Sequence, residues 1–207
     1  KLFLSKVDVL QKIDFDLEEI GKPIKFNWGK CPLATASFGH GITTTLLQLA
    51  KAYSIIANGG YNIQPTLIKE TKKIKKEKIL DKKVSEKILP ILRKIVTSRE
   101  GTASLADVSG YEIGGKTGTA QKSISGVYTK KKINSFISVF PISKPKFVLA
   151  VMLDEPKLNA DYVYHYRDGS NIKYKGTPFN TSGWTTVEVA GQIIEKIGPI
   201  LATKYSE

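Results

Sequence analysis

Cysteine is nearly absent: the chain of 207 residues holds one, Cys31. A lone cysteine forms no intramolecular disulfide, so the fold must rest on its apolar core, and cysteine usage leaves the redox compartment open. Cys31 is expected to be a small packing residue. Histidine is almost as scarce. His40 and His165 stand isolated, and no Cys/His/carboxylate spacing suggests a metal centre, so neither a metal nor another cofactor is expected. No run of about 18 apolar residues is present, which excludes a membrane-crossing helix by length. No basic start leading into an apolar stretch reads as a secretory leader. Methionine occurs once, at Met152, and the first residue is Lys1, so a processed form or a fragment is expected rather than an intact translation product.

What is present describes a folded domain. Hydrophobic residues make up 41% and charged residues 25%, enough for one sizeable core or two small ones. The 32 basic residues outnumber 19 acidic ones, and the net charge of +13 favours an anionic partner. Much of this charge sits in "KETKKIKKEKILDKK", Lys69 to Lys83, which is expected to be a solvated edge or hairpin.

Periodicity places the elements. "VDVLQKIDFDLEEIG" offers a short amphipathic helix or strand ended by Gly21 and Pro23. In "TTTLLQLAKAYSIIANGG", Thr43 or Thr44 caps a helix, and Leu46, Leu49, Ala50, Tyr53 and Ala57 share a face. "VSEKILPILRKIVTSREG" predicts a second helix with Ser85 as cap, Ile88, Ile91, Leu92 and Ile95 on one stripe, and Pro90 near its start. Strands are expected over Gly114 to Gln121, Ile133 to Ile142 and Phe147 to Leu153, joined as antiparallel hairpins, with "KSISGVYTKKK" as the first connecting loop. A final helix follows from about Thr185 to Leu201. The class is therefore α+β, an antiparallel sheet flanked by helices.

Two chemistries claim "GYEIGGKTGTAQ", Gly110 to Gln121. From Gly110 it spells G-x-x-x-x-G-K-T, a phosphate loop, and "FVLAVMLDE" imitates the apolar strand whose Asp154 and Glu155 would then hold magnesium. A phosphate loop needs a helix whose N-terminus faces the anion. Here Thr117 is followed by Gly118 and a polar stretch with no helical apolar face, and hairpin connections contradict the parallel strands required. From Lys116 the same stretch spells K-T-G, which asks for an exposed strand edge with a small residue after Thr117. Gly118 lets a substrate peptide approach that edge, Lys116 supplies a cation, and the hydroxyls of Thr117 and Thr119 suit a carboxylate. A nucleotidase and a basic binding domain without catalysis remain the alternatives.

The surroundings of K-T-G are similar to one family. "ATASFGHGITTTLLQLAKAYSIIANGGYNIQP", "REGTA" at Arg99 to Ala103 and "GGKTGTAQ" together resemble the C-terminal part of the transpeptidase domain of class B penicillin-binding proteins, most of all the cell-division type. The resemblance covers most of residues 1–207 and implies a β-lactamase/transpeptidase-like fold: a five-stranded antiparallel sheet, helices on its faces and a helical subdomain. It implies acyl transfer between peptidoglycan stem peptides, with β-lactam antibiotics as mimics of the acyl donor. Neither nucleic acid nor nucleotide is then a partner, while cell-division proteins are partners of the parent protein. It also implies the periplasmic face of the bacterial inner membrane, through an N-terminal anchor absent from this chain. In this resemblance Lys116 and Thr119 are catalytic, and Lys116, Thr117, Gly118 and Thr119 bind substrate, the Thr119 N–H forming half of an oxyanion hole.

The family's S-x-x-K and S-x-N motifs should precede K-T-G and do not. "SKPK", Ser143 to Lys146, has the first spacing but follows K-T-G, contains Pro145 and sits in a hairpin turn. Ser170 and Asn171 lack the spacing of the second. The chain alone is therefore expected to be inactive. The Tyr-rich stretch Glu155 to Gly183 is expected to be either a solvated loop or a wall of the substrate groove.

Overall fold

A computed structural model describes residues 2–24, 28–69, 77–124, 127–176 and 178–205. The chain divides into two units, Lys1–Glu86 and Lys87–Glu207. The first holds three helices, α1 (Leu2–Lys6), α2 (Lys30–Ala36) and α3 (Leu46–Ala57).

No helix or strand forms over the stretch that begins at Val7. Asp8 takes a left-handed φ of 55°, and the amides of Val7, Asp8 and Val9 turn back onto carbonyls of α1. Val7 and Val9 are thereby buried against Ala52 and Ile55 of α3. The Asp8 carboxylate receives the Lys51 ammonium at 2.7 Å, and that lysine side chain is only 4% exposed. The buried face of α3 is accordingly Gln48, Lys51, Ala52 and Ile55, and the predicted Leu46/Leu49/Ala50/Tyr53/Ala57 face is half-buried. A paired lysine thus displaces an apolar stripe, which periodicity alone cannot foresee. The cap is Thr45, in a reciprocal capping box with Gln48, while Thr44 donates to the Val9 carbonyl and Thr43 accepts from the Ile24 amide. Cys31 is exposed on α2 rather than packed: seven residues give that helix little to bury. Of the lysine-rich segment, residues 70–76 lie outside the described residues, and Lys78 beyond them forms an antiparallel bridge with Tyr61.

Helix α4 (Lys82–Thr97) spans the division between the units. Asp81, not Ser85, caps it, its carboxylate accepting the Lys83 amide at 2.9 Å. Ser85 and Pro90 therefore sit inside the helix, Pro90 on an exposed face. The stripe is rotated from that expected, with Leu92 and Val96 buried and Ile91 55% exposed.

In the second unit β1 (Gly114–Ile124), β2 (Val127–Phe140) and β3 (Phe147–Asp154) form an antiparallel sheet in that order. The expected hairpins are there, and the expected loop "KSISGVYTKKK" is mostly strand. Ser123 pairs with Tyr128 across a register shift after Gln121, and the Lys122 carbonyl accepts from Thr129. This ribbon projects past the core, so no apolar alternation marks it. Ser125 and Gly126 lie outside the described residues. The resemblance implies five strands in this sheet; the described residues supply three.

Helix α5 (Thr186–Lys204) covers the sheet. Phe136, Phe140 and Val151 pack with Val187, Ala190 and Ile194 of α5, and with Val96, Leu105 and Ile113. Gly115 must lack a side chain, since a Cβ there would lie 2.5 Å from the Phe136 ring. Arg93 of α4 donates to Asp107 and to the Ile113 carbonyl, both at 2.7 Å, fixing the approach to β1. Between β3 and α5 the Tyr-rich stretch folds into a two-stranded ribbon, β4 (Val163–His165) and β5 (Lys173–Lys175), so it is not a structureless loop.

Candidate active site

The stretch shared by the two competing motifs is an extended strand. Lys116 pairs with Ile137, Thr117 with Phe136 and Thr119 with Asn134, all within β1, and no helix starts at Thr117. The backbone amides of an antiparallel strand do not converge on one anion as those of a phosphate loop do. Asp154 and Glu155 are ion-paired with Lys122 at 2.9 Å each, and Glu155 also with Lys131 at 3.1 Å. The hydrogen bond from Lys122, first, and that from Lys131 hold the Glu155 carboxyl below its usual range. These acids thus tie the far ends of the strands together.

Alternation puts Thr117 and Thr119 on one face of β1 and Lys116 and Gly118 on the other. β1 is an edge of its sheet, with β2 as its sole neighbour among the described residues. The Lys116 ammonium is exposed and donates to the Thr117 carbonyl at 2.8 Å. Thr117 and Thr119 line a cavity of about 370 Å³ whose other walls come from Arg99, Thr102, Ser104 and Leu105 on one side and Tyr166, Thr181 and Trp184 on the other. Of the predicted residues, the structure brings the two threonines to this cavity, and Lys116 and Gly118 lie on the opposite face of the same strand.

Two partners that no motif announced complete the hydroxyl array. Thr102 Oγ1 lies 2.9 Å from Thr117 Oγ1. Ser182, fully buried, donates its amide to Thr119 Oγ1 at 3.0 Å, and its hydroxyl donates to the Gly118 carbonyl. Proton counting follows from one hydrogen per hydroxyl. Ser182 spends its own on Gly118, so the hydroxyl of Thr119 has its hydrogen free to go to Ser182 Oγ, 3.0 Å away, or to a ligand oxygen. The Thr102/Thr117 pair needs one hydrogen for its internal bond and keeps one. Two donors therefore serve a cavity that Arg99 also lines, a set suited to a carboxylate. Thr102 lies in "REGTA", quoted above for its resemblance alone. Ser182 lies 63 residues from Thr119, a distance over which sequence carries no pairing signal.

Ser143 gives its amide and its hydroxyl to Glu112, and Lys146 donates to the Tyr205 carbonyl, so "SKPK" is a turn with no serine–lysine pair. A second stretch with S-x-x-K spacing, Ser170 to Lys173, was not singled out from the sequence. It lies in the turn leading into β5, with the Ser170 amide bonded to Asp168 at 2.9 Å, and is not helical either.

An antiparallel sheet covered by helices, with a K-T-G edge strand over a hydroxyl-lined cavity, is the arrangement that the resemblance implies for a transpeptidase-like fold. Residues 3–172 match the penicillin binding protein transpeptidase domain, and the chain belongs to that family. It is 30% identical over 213 residues to the probable peptidoglycan D,D-transpeptidase FtsI of Caulobacter vibrioides, an alignment covering 98% of this chain and 34% of that protein. The transpeptidase domain of Burkholderia pseudomallei penicillin-binding protein 3, solved without ligand, superposes with a TM-score of 0.77 at 26% identity, over 99% of this chain and 56% of that one. Penicillin-binding protein 3 of Mycobacterium tuberculosis, solved with aztreonam, shares the fold with a TM-score of 0.75 at 24% identity, over 95% of this chain and 45% of that one. The chain thus spans between about a quarter and a third of the length of the curated relatives it matches, at 34% for both the Caulobacter protein and the Neisseria flavescens one and 25% for stage V sporulation protein D of Bacillus subtilis.

Proposed function

We propose that this chain is the substrate-clamping part of a serine D,D-transpeptidase that cross-links peptidoglycan stem peptides. The observation that carries this is the pair Thr117 and Thr119, side by side on an edge strand, each with a hydroxyl partner and both facing one cavity with Arg99. In this reading a serine from an S-x-x-K helix elsewhere in the full protein attacks the penultimate D-alanine carbonyl. The terminal carboxylate is held by the hydroxyls of Thr117 and Thr119. The Thr119 N–H on the open edge supplies one oxyanion donor, and Lys116 directs its ammonium along that edge toward the reacting groups. An amine of a neighbouring strand then takes the acyl group. β-Lactams enter as mimics of the donor; the similar Mycobacterium protein was solved in complex with aztreonam. The full protein is placed at the periplasmic face of the inner membrane among cell-division partners, through an anchor outside this chain. No helix among the described residues is long and apolar enough to cross a membrane.

The test is labelled penicillin on the full protein, followed by intact mass. One acyl group per chain is expected, and a peptide ending in D-Ala-D-Ala should slow its formation. Replacing Thr117 with alanine and Thr119 with valine should raise the drug concentration needed, since each removes a charge-assisted hydrogen bond. Residues 1–207 by themselves should form no stable adduct, because neither S-x-x-K stretch has its lysine one helical turn from the serine. ATP with magnesium should bind neither form at near-physiological salt, where screening suppresses the background from the +13 charge. Absence of any adduct on the full protein, or nucleotide binding abolished by Lys116→Ala, would overturn the assignment.

A further inference from the structure

The most tightly held point of the stretch between β3 and α5 is Arg167, next to the cavity-lining Tyr166. Its side chain is 6% exposed, and that of Glu188, in the first turn of α5, is 5% exposed. The guanidinium meets Glu188 as a fork, Nη1 to Oε2 at 2.9 Å and Nη2 to Oε1 at 2.8 Å, and its Nε donates to Glu195 at 3.0 Å. Nη1 also reaches the carbonyls of Leu105 at 3.1 Å and His165 at 2.9 Å. Glu188 Oε1 accepts further from the Tyr162 hydroxyl at 2.8 Å and from Gln192 at 3.0 Å. Burial, and then Glu188 itself, push the Tyr162 phenol up to about 12, so it stays protonated and donating. The Arg167 carbonyl accepts the Ser109 amide at 3.0 Å.

One guanidinium therefore joins three pieces of chain, and each piece supplies the cavity: Leu105 from the 3₁₀ turn Ser104–Ala106, Tyr166 from the ribbon, and Trp184 from the residues just before α5. A buried ion pair is a poor source of stability compared with an apolar contact of the same volume, and here the forked hydrogen bonds set one placement of the two side chains. Tyr164, edge-on, and Tyr174, tilted, pack against the Trp184 ring with centroids 5.1 and 5.2 Å from it, which joins the ribbon to the tryptophan. We infer that Arg167, through Glu188, is a positioning residue that holds Tyr166 and Trp184 as an aromatic wall of the threonine cavity, and that this wall recognises the part of the acyl donor beside its carboxylate. The inference rests on the transpeptidase reading of the site.

The experiment measures acylation of the full protein against penicillin concentration, separating the limiting rate from the half-saturating concentration, with a thermal melt of each variant. Arg167→Met, Glu188→Gln and Tyr166→Ala should each raise the half-saturating concentration by about tenfold, the low end of what one apolar contact in a pocket is worth, with the limiting rate within about twofold. Glu188→Gln combined with Tyr166→Ala should be no worse than either alone, because both act through the same wall. This cycle carries the test even where Arg167→Met does not fold. Variants that melt earlier yet keep the wild-type half-saturating concentration, or effects that multiply in the double variant, would overturn the inference. If the wild-type protein takes no label, the reading of the site falls and this inference with it; a labelled wild type with indifferent variants removes the inference alone.

Discussion

Gly118→Val in the full protein lowers the rate of penicillin acylation by about a hundred- to a thousandfold, the typical loss when one oxyanion donor is displaced. A Cβ at this position would lie 2.6 Å from Ser135 Oγ, closer than any relaxed contact, so either the serine or the strand must shift. Turning the serine away would break its hydroxyl's 3.3 Å bond to the Gly118 carbonyl, and valine adds two further carbons beyond that Cβ. The displacement therefore falls on β1 between Thr117 and Thr119, moving the Thr119 N–H away from the reacting carbonyl. Thr119→Val, by contrast, keeps that N–H and should mainly weaken carboxylate binding. Stopped reactions analysed by intact mass give the rate, and a valine variant that acylates as fast as wild type would show that β1 does not supply the donor.

Phe136→Ala destabilises the chain by about 3–5 kcal/mol, the range for removing a fully buried aromatic ring. Phe136 is completely buried in the centre of β2, pairs with Thr117 on one side and Val151 on the other, and rests on the backbone of Gly115. Collapse cannot refill the space, because the floor beneath the ring is a glycine with no side chain to move in. Urea unfolding followed by circular dichroism would report the loss. A cost under about 1 kcal/mol would mean that the ring is not the support of the K-T-G strand.

The same pair of residues shows how far the sequence could be read. The three strands of the sheet and α5 were legible because β2 and β3 are apolar, β-branched and too closely joined for a crossover, and because α5 carries a regular stripe. The K-T-G edge was legible because no helix could follow Gly118. Helix faces were less so. A buried Lys51 paired with Asp8 turned α3 away from its apolar stripe, Asp81 started α4 before the expected cap, and of the α4 stripe Leu92 is buried with Val96 while Ile91 is exposed. Cys31 looked like a packing residue by type, yet its helix is too short to bury it. The site was legible as a strand but not as a cavity. Thr102 and Ser182 join Thr117 and Thr119 from 15 and 63 residues away in the chain, and their side chains follow no period. Glu155 to Gly183 offered two readings, and three of its residues, Tyr166, Thr181 and Gly183, line the threonine cavity.

The most direct measurement is a crystal structure of the full protein after acylation by a penicillin. The drug carboxylate is expected within about 3.2 Å of the hydroxyl oxygens of Thr117 and Thr119, with the acyl carbonyl oxygen facing the Thr119 N–H on the open edge of β1. A carboxylate bound elsewhere, with both threonines still bonded only to Thr102 and Ser182, would contradict the central claim that this strand holds the acyl donor.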